Sequence, residues 1–157
     1  MKIEIKLDKR LENLKNIKDA RSSVGWYDNT KYDDNTLVGE IAELQEYGTS
    51  RFPPRPFMRP SRLKNEVKWR GIIEQGVKNC LNNGTPLKQA FGQVALVAQG
   101  DIAQEISEVW TPPLKWSTIR ARMNRKSGKK TIGALNKPLI DTGTMIGTIS
   151  MKVEDVE

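Results

Sequence analysis

Histidine is absent from this 157-residue chain, and cysteine occurs once, as Cys80. The absence of histidine excludes Ser-His triads, imidazole acid–base catalysis and histidine metal ligands. A single thiol forms no internal disulfide, which suits a reducing compartment, and it completes no zinc site of the usual type. We therefore expect a protein with no metal, no cofactor and no histidine-based catalysis.

The chain also lacks a long hydrophobic run. No apolar segment approaches the roughly eighteen residues of a membrane-spanning helix, and no apolar signal segment follows the charged N-terminus. We expect a soluble protein that is made in the cytosol and has no membrane contact. The length suffices for a single domain, 1–157, with a core of its own.

The net charge of +7 is concentrated in the middle of the sequence. Residues 51–84 hold eight basic and two acidic side chains, and residues 85–130 hold eight and three. Residues 1–50 hold eight basic and ten acidic groups, and residues 131–157 hold two and four. This concentration favours an acidic partner, either nucleic acid or a protein face, although a lysine-rich soluble surface gives the same pattern.

Apolar periodicity predicts an α+β fold. Two long amphipathic helices flank the link 83–86, which is short enough to make them an antiparallel hairpin. The apolar stripe of the second helix includes Val94, Ile102 and Ile106, and that of the first includes Leu63 and Val67. A shorter helix from Thr36 or Asn35 is expected to end at Gly48. Alternating residues predict strands at 2–7, 23–27 and 145–153, which form a small antiparallel sheet packed against the hairpin.

The segment 50–60 is predicted to be a rigid loop. Four prolines fix its φ angles and remove N–H donors, so it neither pairs as a central strand nor continues a helix. A stiff backbone loses little entropy on docking, and arginine and aromatic side chains supply many interface hot spots. The alternative is a structural connector whose aromatic side chains cap the core. The predicted interface residues are Arg51, Phe52, Arg55, Phe57, Met58 and Arg59.

Two groups of motifs resemble one known family. The first is Gln-Glu-Tyr-Gly-Thr at 45–49 followed by Pro-Pro-Arg-Pro-Phe-Met-Arg-Pro at 53–60. The second is Thr-Pro-Pro-Leu at 111–114 followed by Lys-Pro-Leu-Ile-Asp-Thr-Gly-Thr-Met-Ile-Gly-Thr-Ile at 137–149. In this order they resemble the tail-completion and virion-morphogenesis family of tailed phages, which includes lambda-like minor tail Z proteins and Mu-like morphogenesis proteins. Two motifs in order are more specific than either alone.

The resemblance implies a non-enzymatic structural protein of the virion tail and neck, assembled in the host cytoplasm. Copies would form a ring, expected to be a hexamer, that completes the tail and joins it to the head. Its partners would be further copies, the tail terminator or tail-tube protein, and the head–tail connector proteins. On this interpretation, changing Arg55 or Phe57 is expected to leave the chain folded and to block joining.

The segment 115–137 is predicted to be a mobile basic arm that begins with a brief helix from Ser117 or Thr118. Mobility is expected because the cationic part, 120–130, has no apolar periodicity. Its cations could contact packaged DNA in the ring's lumen or another acidic surface, without reading sequence. The absence of interleaved aromatic residues argues against base stacking. A small basic DNA-binding protein is therefore an alternative function. The cations concerned are Arg120, Arg122, Arg125, Lys126, Lys129 and Lys130.

Two acidic motifs need separate interpretations. Asp141-Thr-Gly matches the loop of aspartic proteases, whose chemistry needs two carboxylates sharing a proton, so a retropepsin-like homodimer is a further alternative. The local interpretation is a turn in which Gly143 takes a conformation that other residues avoid. Glu40, Glu43 and Glu46 lie three residues apart, and we expect them to form a solvated helix face.

Overall fold

A computed structural model describes residues 10–15, 17–27, 29–126 and 130–156. The predicted strand 2–7 and the cation Lys129 lie outside these residues. The other predicted elements appear in the predicted order with shifted boundaries, together with a short helix at 144–147 that the sequence did not predict. They are helix α1 at 10–15, β1 (Ala20–Gly25), α2 (Val38–Tyr47), α3 (Met58–Asn83), α4 (Leu87–Glu108), α5 (Trp116–Met123), α6 (Thr144–Gly147) and β2 (Ser150–Asp155).

The chain divides into two compact units. Unit 1 comprises the described parts of 1–24, 65–99 and 151–157, and unit 2 comprises those of 25–64 and 100–150. Both long helices contribute residues to each unit. The single domain expected from the length stays a prediction, because compact units can belong to one folding domain.

Unit 1 contains most of the sheet and the linked ends of the long helices. β1 and β2 form a two-stranded antiparallel sheet, and α3 and α4 pack against each other and against it. A side chain at Gly76 would overlap the Cβ of Ala90, so the two helix backbones approach closely there. The predicted α+β class, with a small sheet on a helical hairpin, is confirmed.

The apolar stripe predicted for α4 is confirmed, whereas the stripe predicted for α3 is partly wrong. Val94, Ile102 and Ile106 of α4 are buried. Leu63 and Val67 of α3 are 76% and 83% exposed. The buried positions of α3 include Ser61 and Cys80. The close approach of α3 to α4 lies instead at Gly76, opposite Ala90.

Both ends of the sheet differ from the sequence prediction. The first strand begins at Ala20 and ends at Gly25, which leaves Trp26 outside the sheet. The segment predicted as the start of the final strand forms the short helix α6, and β2 begins only at Ser150. Over so short a segment, alternation of apolar and polar residues does not distinguish a strand from a single helical turn. In α6 the buried side of that turn carries Met145.

Candidate functional site

Glu46, near the end of α2, fastens the start of α3. Its carboxylate accepts hydrogen bonds from the backbone N–H groups of Phe57 (2.7 Å), Met58 (2.9 Å) and Arg59 (3.1 Å). These are the orphan donors that open a helix, and a carboxylate there also opposes the positive end of the helix dipole. Glu46 is buried, so the prediction of a solvated acidic face is wrong for it, although Glu40 and Glu43 are exposed.

The side chain of Arg59 completes this contact. Its Nε donates to Oε1 of Glu46 at 2.9 Å, and its Nη2 donates to the Glu46 carbonyl at 3.1 Å. The guanidinium also lies over the ring of Tyr47, 5.1 Å from its centroid. Burial alone raises the pKa of Glu46, but the N–H donors and Arg59 outweigh it, so this pKa lies below its usual value.

Gly48 lets the chain turn directly from α2 into the proline-rich segment. Its φ is 75°, and a Cβ at this position would lie 2.6 Å from the backbone nitrogen of Pro54. The Thr49 hydroxyl then accepts a hydrogen bond from the N–H of Arg51 at 3.1 Å, and the N–H of Thr49 donates to the Phe52 carbonyl at 2.9 Å. The segment therefore folds back onto α2.

Arg55 joins the first motif group to the second. Its Nε donates to the carbonyl of Pro112 at 2.8 Å, and its Nη2 donates to that of Pro113 at 3.1 Å. Nη1 donates to the Gln45 side-chain oxygen at 3.3 Å, and the Arg55 N–H donates to the Gln45 carbonyl at 2.7 Å. Arg55 is buried, and burial lowers its pKa. A guanidinium is suited to this position because its fork serves several acceptors at once.

Phe57 is fully buried in unit 2, with 0% of its surface exposed. Its ring meets that of Trp26 edge to face, with centroids 5.8 Å apart and planes at 86°. The indole N–H of Trp26 donates to the Met145 carbonyl at 2.8 Å, which ties the loop to the C-terminal motif. Buried aromatic rings with a satisfied polar tip are strong packing anchors. We call Trp26, Glu46, Arg55 and Phe57 the clamp.

The clamp corrects the predicted interface. Arg55 and Phe57 contact their own chain and are buried, so they present no surface to a neighbour, and the alternative of a structural connector describes them better. The rigid loop is also shorter than predicted, since α3 begins at Met58. Arg51 and Arg59 are exposed, and Phe52 and Met58 are half-buried, so an interface role for these four stays a prediction.

The clamp predicts a graded response at Arg55. Arg55→Ala removes the donors of two proline carbonyls, and we expect the free energy of unfolding to fall by roughly 2 kcal/mol. Arg55→Lys keeps one donor and should lose less. Urea unfolding of both variants measures this, with Arg51→Ala on the exposed side of the same loop as the matched control. Equal stability of Arg55→Ala and the control would contradict the structure.

Two cations of the predicted basic arm, Arg122 and Arg125, contact other residues of their own chain. The Arg122 side chain is 7% exposed, and its Nη1 donates to the carbonyls of Leu135 (3.0 Å), Lys137 (2.7 Å) and Ile140 (3.1 Å). Arg125 pairs with Asp141 at 2.6 Å. The expected role of Arg122 at DNA or an acidic partner is therefore corrected, whereas that of Arg125, whose side chain is 28% exposed, stays a prediction. The brief helix predicted from Ser117 or Thr118 is confirmed as α5, which begins at Trp116.

Asp141 serves the same local network. Besides Arg125, it accepts a hydrogen bond from the Thr131 hydroxyl at 2.6 Å. Burial raises its pKa, but the hydrogen bonds from Arg125 and Thr131, with the nearby charge of Arg122, hold that pKa below its usual value. A protease dyad requires a carboxylate that shares a proton, whereas this one is held ionised. Gly143 has φ 78°, as the predicted turn requires.

An open cavity of about 480 Å³ lies beside Asp141. Its lining combines apolar side chains, such as Ile41 and Leu139, with polar side chains of both charges. Burial, followed by the charges of Asp141 and Asp34, raises the pKa of Tyr32 at its wall. Among the residues that the structure describes, no group of three acidic or cysteine side chains could hold a metal ion. Members of the lining include Tyr32, Asp34, Gln45, Arg122, Asp141 and Thr142.

The surface of unit 2 exposes apolar residues that sequence reasoning missed. Trp116 and Met123 of α5 and Leu44 and Tyr47 of α2 are all exposed. For Leu44 and Tyr47 the signal is present in the sequence, because both lie at helical spacing away from the buried Val38 and Ala42. α5 contains no buried residue, so helical spacing defines no such side for Trp116 and Met123. Of the remaining predicted cations, Arg120, Lys126 and Lys130 are exposed.

Comparison of the sequence with protein-family models and with curated proteins, and of the structure with solved structures, finds no match. Within the described ranges, none of the helices combines the length and the apolar character needed to cross a bilayer.

Proposed function

We propose that this chain is a non-enzymatic structural protein of a tailed-phage virion that completes the tail and joins it to the head. One observation supports the proposal above the others. The two motif groups on which the family resemblance rests meet in space, since Arg55 of the first donates to Pro112 and Pro113 of the second.

This contact strengthens the resemblance because the motifs are far apart in sequence. Arg55 is separated by 57 positions from Pro112 and by 58 positions from Pro113. Chance matches at such separations have no physical reason to lie in one hydrogen-bonded cluster. Residues that together fix a shared fold have that reason.

In the proposed role, copies form a ring, expected to be a hexamer, at the end of the tail. The ring would contact the tail terminator or tail-tube protein on one side and the connector proteins on the other. Different faces of one subunit meet around the axis, so the contacts are heterologous. The exposed cations Arg120, Lys126 and Lys130 would face packaged DNA or an acidic neighbour.

The DNA-binding alternative is weakened by two internal contacts. Arg122 and Arg125 are engaged by backbone carbonyls and by Asp141, so fewer cations remain for phosphate groups than the sequence indicates. Each lost phosphate contact lowers the salt dependence of binding.

The proposal is tested in the phage or lysogen that carries the gene. Without the protein, we expect DNA-filled heads and complete tails that stay unjoined, with a drop in infectious titre of several orders of magnitude. Electron microscopy of the lysate measures the joined fraction. Adding the purified protein back to the lysate is the control and should restore joined particles. Normal particles in its absence would refute the proposed function.

A further inference from the structure

The outer face of α5 carries a cation between two large apolar side chains. Trp116 is 68% exposed and Met123 is 58% exposed, and Arg120 is exposed between them. Positions at spacings of four and three lie on one side of a helix. The helix itself is held from its other side by Arg122, which donates to carbonyls of the following loop.

The surroundings of this face are uniformly basic in sequence. No aspartate or glutamate occurs between Glu108 and Asp141. Lys126 and Lys130, in the same segment, are exposed. A face of this composition, with tryptophan, methionine and arginine, matches the residues enriched at protein interfaces.

The outer face of α2 has the opposite charge and the same kind of apolar surface. Glu40 and Glu43 are exposed, and Leu44 is exposed beside them. Tyr47 is 64% exposed, and the guanidinium over its ring belongs to Arg59, whose charge is paired with Glu46. Spacings of three and four place these four exposed residues of α2 on one side, away from the buried Val38 and Ala42. No lysine or arginine occurs between Lys31 and Arg51.

We propose that the outer face of α5 in one copy binds the outer face of α2 in a second copy. Arg120 of α5, with Lys126 three residues beyond the end of that helix, would meet Glu40 and Glu43, while the exposed apolar side chains of the two helices cover each other. The occupant is a second copy because a single chain carries both complementary surfaces. The opposite charges fix the register of the two helices in this contact. Repulsion between like charges prevents α2 from pairing with α2 and α5 from pairing with α5.

This contact deepens the proposed function and rests on it for the closure of a ring. The two faces differ, so each copy binds one neighbour through α2 and another through α5. Such contacts close into a ring when the rotation allows it. The apolar side chains in the centre supply the affinity, and the charges around them decide the partner.

The test exchanges charges between the two faces of the full chain. Glu40→Lys with Glu43→Lys, and separately Arg120→Glu with Lys126→Glu, should weaken self-association at least about 100-fold, because like charges then face each other. The chain with all four changes should recover it. An equimolar mixture of the two double variants should also assemble. Sedimentation velocity at low ionic strength measures the association constants.

The control variant is Arg62→Glu with Lys78→Glu, which reverses two exposed cations elsewhere, on α3. It should associate like the original chain, and circular dichroism should show all variants folded. A monomeric original chain, or a four-change variant that fails to recover, overturns the contact. The two proposals can fail separately. If particles stay unjoined without the protein but the four-change variant does not recover self-association, the proposed function stands and this contact is wrong.

Discussion

Replacing Phe57 with alanine should lower the free energy of unfolding by about 3–5 kcal/mol, the usual cost of removing a fully buried phenylalanine. The ring has no exposed surface and packs edge to face on Trp26. Its loss leaves a cavity under the proline-rich loop and removes the aromatic pair. Chemical denaturation, followed by the fluorescence of the tryptophans, measures the change.

Leu63→Ala is the matched control for this prediction. Leu63 is also a large apolar residue near the start of α3, but it is 76% exposed. Surface substitutions of this kind usually change stability by less than about 0.5 kcal/mol. If Phe57→Ala and Leu63→Ala unfolded at the same denaturant concentration, the burial of Phe57 would be wrong. Sequence reasoning alone expected the Phe57 variant to stay fully folded.

Replacing Glu46 with alanine should cost about 3 kcal/mol, because three N–H groups at the start of α3 and the guanidinium of Arg59 lose their acceptor. In the variant, the buried N–H of Phe57 loses the carboxylate oxygen to which it donates. Thermal or urea unfolding measures the loss. Glu43→Ala is the control, since Glu43 lies on the exposed side of the same helix and should change stability little.

The contribution of Glu46 should also depend on pH. Its pKa in the folded chain lies below the value of an unfolded glutamate, so folding is favoured while the carboxylate is ionised. The stabilisation is complete above the unfolded pKa of about 4.3. It is lost as the pH falls through the lower, folded pKa. The stability difference between the original chain and Glu46→Gln should therefore shrink in acid, and a difference that grows there would contradict this assignment.

Local signals in the sequence predicted the helices and several of their ends. The α4 stripe, the end of α2 at Gly48 and the turn at Gly143 all follow from short-range patterns, and the structure confirms them. Such features depend on spacing and on backbone geometry within a few residues. The exposure of Leu63 could not be predicted this way, because it depends on which side of α3 packs against the rest of the chain.

The roles of the charged motif residues required the tertiary structure. Arg55 and Arg122 are of a residue type that often binds partners, yet both donate their hydrogen bonds to backbone carbonyls of their own chain. The carbonyls that Arg55 contacts lie 57 and 58 positions away in sequence. A sequence does not reveal whether a guanidinium meets its own chain or a partner, since the two environments offer the same acceptors.

The sequence by itself determined the α+β composition, the helical hairpin and the concentration of positive charge in the middle of the chain. Only the tertiary structure decided that Glu46, Arg55 and Phe57 hold the fold together and that the outer faces of α2 and α5 remain uncovered. The physical reason is that periodicity and charge are local properties, whereas burial depends on which distant segments are brought together.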